Sequence, residues 1–123
     1  MGDPVVHFEI IGTDPAALRD YYGALFGWEY NIGDATSDAV SDQGQYGFVA
    51  DAGIPGGVAG GPSFEPRVLF YVGVPDVAES LDQAERLGGK RLLGPAGGAE
   101  FSVGHFVDPE GNVVGVAGPS RLS

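Results

Sequence analysis

An internal repeat limits this chain more than any other feature. Val5 to Ile10 alternates as a strand should, with Val6, Phe8 and Ile10 on one face and His7 and Glu9 on the other. Thr13 or Asp14 is placed to cap a helix that opens at Pro15 and runs to about Phe26. Leu18, Tyr22, Leu25 and Phe26 form its apolar stripe, and Gly27 stops it. Short strands are predicted over Trp28–Ile32, Tyr46–Ala50 and Gly57–Gly60. After a Gly/Pro-rich connector, Gly61–Pro66, the order recurs. Val68–Val74 reads as a strand, and Pro75-Asp76 opens a helix with the stripe Val77, Leu81, Ala84 and Leu87. Gly88-Gly89 end that helix, and strands follow over Arg91–Leu93, Phe101–Val107 and Val113–Val116. Aligning Leu18 with Leu81 gives an offset of 63, which matches His7 to Phe70 and Glu9 to Val72.

The last two strands form a hairpin around Asp108-Pro109-Glu110-Gly111-Asn112. Pro109 presets φ at the first central position, and Gly111 supplies the left-handed residue of a three-residue loop. If Asp108 faces Asn112, Phe106 faces Val114 and His105 faces Gly115, and cross-strand partners share a face.

Each helix must bury its stripe against one side of its sheet. Val6, Phe8, Ile10, Leu69, Tyr71, Phe106, Val114 and Val116 suit that side. The opposite side then carries His7, Glu9, Phe70, Val72, Phe101, Val103, His105 and Gly115. The expected fold is α+β, a single domain over residues 1–123 built of two tandem βαβββ units, about 1–61 and 66–123. Their mixed sheets, turned inward, make an open cup. A few polar groups in a largely apolar hollow is the usual make-up of a small-molecule site. The competing reading is a water-facing sheet on which His7, Glu9 and His105 have no task. Four large apolar groups on that face count against it.

Composition removes other classes. A net charge of −11 with six Lys and Arg would repel a phosphate backbone or an anionic membrane. Without Cys there are no disulfides, thiolate nucleophiles or Cys-ligated metals. No apolar run reaches spanning length and no signal-type leader is present, so a cytoplasmic protein is expected. Gly56 to Gly61 is glycine-rich but lacks the Gly-Lys-Ser/Thr ending of a phosphate loop.

The repeated unit, the Asp-Pro-Glu-Gly-Asn hairpin and the run Tyr21-Tyr22-Gly23-Ala24-Leu25-Phe26-Gly27-Trp28 resemble the vicinal oxygen chelate superfamily. That group holds glyoxalase I, the bleomycin-resistance proteins and extradiol dioxygenases. The resemblance implies the cup, closure as a homodimer, and in many enzymes one divalent metal ion. Carried onto this sequence, the ligand positions are His7, which matches, Phe70, which does not, Gly115, where the enzymes commonly carry Glu, and a fourth near Gly57–Gly60. Too few donors remain for a divalent ion, so no metal and no cofactor is expected.

Three functions follow. The first is a metal-independent binding protein that sequesters a hydrophobic or aromatic compound. Trp28, Phe70, Val72, Phe101, Val103 and Gly115 would line its site, with His7, Glu9 and His105 setting orientation. The second is a metal-free enzyme, a lyase or isomerase, in which Glu9 raises the pKa of His7 for acid–base work with His105. The third is a metal enzyme of the glyoxalase or dioxygenase type, with a rearranged divalent metal site on His7, Glu9 and His105.

Overall fold

The computed structural model describes residues 2–98 and 100–120. The elements run strand, helix, three strands, twice over. They are β1 (Val5–Gly12), α1 (Pro15–Phe26), β2 (Asn31–Gly33), β3 (Tyr46–Val49), β4 (Gly56–Gly60), β5 (Arg67–Gly73), α2 (Val77–Arg86), β6 (Lys90–Gly97), β7 (Phe101–Val107) and β8 (Val113–Pro119). This is the expected α+β repeat. No helix among the described residues is long and apolar enough to cross a membrane.

Among the described residues, 7–68 pack as one unit, and 69–98 and 100–120 form another together with residues 2–6. That leading segment joins the second unit because Gly73 N–H donates to Pro4 C=O at 2.8 Å. In the first unit the strand order is β2-β3-β4-β1, with β4 parallel to β1 and the other pairs antiparallel. In the second it is β5-β8-β7-β6, with β8 parallel to β5.

Both helices start on an aspartate. The Asp14 side chain accepts from Ala17 N–H at 3.1 Å with Pro15 at the first position, and Asp76 accepts from Glu79 N–H at 3.0 Å. These caps satisfy amides that the helix itself leaves unpaired. Gly27 ends α1 in the left-handed conformation, φ 73°.

The hairpin has the expected register, His105 opposite Gly115 and Phe106 opposite Val114. Asp108 N–H donates to Asn112 C=O at 2.9 Å. The Asp108 carboxylate accepts from the amides of Glu110 and Asn112 and from Asn112 Nδ2, each at 2.9 Å. The Asn112 side chain and these amides hold that carboxyl below its ordinary pKa. Gly111 turns at φ 98°, and nothing lies within 4 Å of where a Cβ would be. The cost of Gly111→Val is therefore conformational and should be about 1–3 kcal/mol. Thermal unfolding checks this, and an unchanged Tm would refute the strain.

The second unit corrects one strand phase. Val77, Leu81 and Val116 form a buried cluster with Val72, Val74 and Phe106 against it. Leu69, Tyr71, Val103 and Ala117 form another, and Val113 packs on that one. Phe106 and Val116 thus lie on the α2 side as expected, but so does Val72. Tyr71 pairs with Gly115 and Val72 with Val116. Phe70 and Val72 are therefore on the face opposite His105, while Leu69 and Tyr71, expected under the helix, share the His105 face.

The error lies in the offset of 63. The capping aspartates, Asp14 and Asp76, lie 62 residues apart and are structurally equivalent. A slip of one residue sends every side chain of a strand to the other face. On the cap register His7 matches Leu69 and Glu9 matches Tyr71.

Candidate functional site

In the first unit, Gly47 faces α1, since a Cβ there would lie 2.4 Å from Arg19 Cδ. Alternation along β3 then puts Tyr46 and Phe48 on the far face, which Glu9 of β1 shares. Glu9 is buried, 2% exposed. Tyr46 Oη donates to Glu9 Oε2 at 2.7 Å, and His7 Nε2 lies 2.8 Å from the same hydroxyl. A carboxylate can only accept. With Glu9 ionised, the phenol proton is committed to it, so His7 must donate from Nε2. The Nδ1 atom then carries the imidazole lone pair.

Tyr46 reaches Glu9 across β4. Two strand spacings are roughly 10 Å, and the ring crosses that gap by lying over Gly57. A Cβ at Gly57 would sit 2.1 Å from Tyr46 Cε1. Phe48 pairs with Gly57, is 39% exposed and tilts against Tyr46 with ring centroids 4.5 Å apart.

The second unit repeats the device. Tyr71 of β5 lies over Gly115 of β8, where a Cβ would meet Tyr71 Cδ2 at 2.5 Å. Its hydroxyl is 2.6 Å from His105 Nε2 on β7. Tyr71 and His105 are 2% and 1% exposed. Each unit thus lays a tyrosine across a glycine of a central strand to reach an ionisable group beyond it.

His7 and Glu9 are brought together through Tyr46. The expected rise in the His7 pKa is corrected: burial pushes the imidazole below its ordinary value of 6.5. A depressed pKa leaves the unfolded chain binding more protons just below pH 6.5. Stability should therefore fall as pH drops through that value toward the folded pKa. Urea unfolding of the protein and of His7→Gln between pH 7.5 and 5 tests this. The variant should show the shallower pH dependence, and parallel curves would contradict it.

The apolar positions scatter. Val103 packs with Tyr71 on the His105 face, and Phe101 is 48% exposed at the pair with Pro119. Trp28 is corrected. Its ring centroid lies 5.2 Å from Phe8, 5.8 Å from Tyr22 and 5.2 Å from Phe26, an aromatic cluster on the α1 side of the sheet. It does not join the face of Glu9 and Tyr46. The residues that sequence reasoning missed are Tyr46, Phe48 and Tyr71. The pattern Tyr46-Gly47-Phe48 does put two aromatics on one face, but only the order β3-β4-β1 aims them at Glu9.

The metal implied by the resemblance does not fit these residues. The position expected to carry Glu is Gly115, and its counterpart in the first unit is Gly57. At both, a tyrosine ring fills the space that a ligating side chain would need. On the cap register the partner of His7 is Leu69, which has no donor atom. Among the described residues no three His, Asp or Glu side chains converge as a metal site needs.

Comparison with known proteins agrees with the fold. A family model described as "Glyoxalase-like domain" matches residues 7–117. A search of curated protein sequences gave no match. Among solved structures, a methylmalonyl-CoA epimerase in complex with methylmalonyl-CoA is 14% identical with a TM-score of 0.66, covering 98% of this chain and 97% of that one. The methylmalonyl-CoA epimerase of Mycobacterium tuberculosis is 15% identical with a TM-score of 0.64, covering 95% and 88%. A hypothetical protein of Bacillus halodurans is 12% identical with a TM-score of 0.69, covering 100% and 99%.

Proposed function

The chain belongs to the glyoxalase-like domain family, and from that premise we propose that it binds a small, largely apolar organic molecule without a metal ion. The observation that carries this reading is the chain Glu9–Tyr46–His7. A buried carboxylate costs several kcal/mol of desolvation unless hydrogen bonds offset it. Here it orients a phenol, and the phenol fixes an imidazole tautomer. The His7 ring, half-buried and oriented by Tyr46, would meet a ligand in a fixed orientation. Phe48, half-exposed beside Tyr46, offers a ring to stack on. A net charge of −11 favours neutral or cationic ligands. His105, buried against Tyr71, holds that ring in place and does not itself meet the ligand.

The test is an NMR screen of neutral and cationic aromatic compounds against protein stripped of divalent ions. Ligands should cause saturable shifts of the His7 imidazole and the Phe48 ring. Ligands that shift neither signal, or none that bind, would refute the assignment.

A second reading has its own support. Neutral His7 could take a proton from carbon beside a carbonyl and return it, with Glu9 acting through Tyr46. Similarity to methylmalonyl-CoA epimerases supports proton transfer of this kind here. Incubating methylmalonyl-CoA with the protein in D2O should then incorporate solvent deuterium. No exchange above background would remove this second reading with that substrate.

A further inference from the structure

A cleft of about 450 Å³ lies on the α1 side of the first unit, apart from the face that carries Glu9 and Tyr46. Its wall is largely apolar, formed by Ile10, Leu18, Tyr21, Tyr22 and Val68. Tyr21 and Val68 are 61% and 70% exposed. The volume falls within the range usual for small-molecule sites.

Arg67 also lines this cleft. Its Nε is buried and has no hydrogen-bond partner. The other described arginines are all engaged. Arg86 pairs with Glu79, Arg91 pairs with Asp82 and Glu85, and Arg19 donates to Gln45 C=O. In a chain with 17 Asp and Glu, a guanidinium that forms no ion pair among the described residues is unusual. A buried donor left unsatisfied costs about as much as the hydrogen bond it lacks.

Asp14, at the rim, sets a limit on the ligand. Its carboxylate caps α1 and repels any anion, a dianion about twice as strongly as a monoanion. We propose that this cleft binds a monocarboxylate with an apolar or aromatic body, its carboxylate on Arg67 and its body against Leu18, Tyr21 and Val68. A planar carboxylate matches the guanidinium fork, and the body covers apolar surface now in water.

Phenylacetate is the probe, and phenylacetamide is its neutral isostere. Titrated by NMR, phenylacetate should bind saturably and shift the amides of Gly12, Leu18 and Val68. Phenylacetamide should bind at least about tenfold more weakly, the usual worth of one charge-assisted hydrogen bond. Arg67→Gln should weaken phenylacetate by a similar factor. Val68→Glu supplies an independent variant at an exposed position: loss of the apolar contact should weaken both probes, and the added negative charge should weaken phenylacetate by a clearly larger factor than phenylacetamide. No saturable binding, equal affinity for the two probes, or binding indifferent to both substitutions would overturn the proposal.

Discussion

Gly115→Glu should destabilise the protein by about 3 kcal/mol, and should not create a metal site. The resemblance to metal-binding relatives makes this substitution look like the restoration of a ligand. The geometry argues otherwise. A Cβ at Gly115 would lie 2.5, 2.6 and 2.9 Å from Tyr71 Cδ2, Cε2 and Cγ. Tyr71 is held from two sides: it sits in the cluster of Leu69, Val103 and Ala117, and its hydroxyl bonds His105. Moving the ring would break that bond and leave a buried polar group unsatisfied. The new carboxylate would also enter a buried strand position, where desolvation penalises its charge. Urea unfolding with and without Zn²⁺ reads both effects. A stable variant that gains Zn²⁺ affinity would show that Tyr71 is not fixed over Gly115.

Leu81→Ala should cost about 2–5 kcal/mol. Leu81 is 0% exposed and packs with Val77, Val116 and Phe106. It also presses onto Gly104, where a Cβ would meet Leu81 Cδ1 at 2.6 Å. Gly104 has no side chain that could swing into the hole, so the cavity closes only as far as Val77, Val116 and Phe106 relax toward it. A loss of this size is a large part of the 5–15 kcal/mol that a domain typically has. Leu87→Ala is the control. Leu87 was expected in the same apolar stripe but is the C-cap of α2 and is 74% exposed. Its removal should change stability by less than about 0.5 kcal/mol. Equal effects at the two positions would contradict the packing of α2.

The repeated element order, both helix starts and the hairpin register were legible because each is written in local chemistry. Aspartate before a helix, glycine after it, and Asp-Pro-Glu-Gly-Asn in a tight turn act within a few residues. The face of β5 was not legible, because Arg67–Gly73 is apolar on both sides and alternation cannot choose between them. The alignment of leucines chose wrongly; Asp14 and Asp76 would have chosen correctly. His7 and Glu9 could be placed on one face from their spacing alone. Tyr46 could not be joined to them, since it stands 37 residues from Glu9 and meets it only through strand order. Trp28 follows the helix stop by one residue, and nothing local says that it folds back onto Tyr22 and Phe26. The two glycines that looked like lost metal ligands proved to be the spaces that two tyrosines occupy.

The measurement that bears most directly on the Glu9–Tyr46–His7 chain is ligand affinity of metal-free Tyr46→Phe beside that of the parent protein. The substitution removes one oxygen and keeps the ring over Gly57. Affinity for any compound that shifts His7 should fall about tenfold or more with divalent ions chelated throughout, while Phe48 continues to sense the ligand. Unchanged affinity in the variant, or binding in the parent that returns only when a divalent ion is added, would contradict this account.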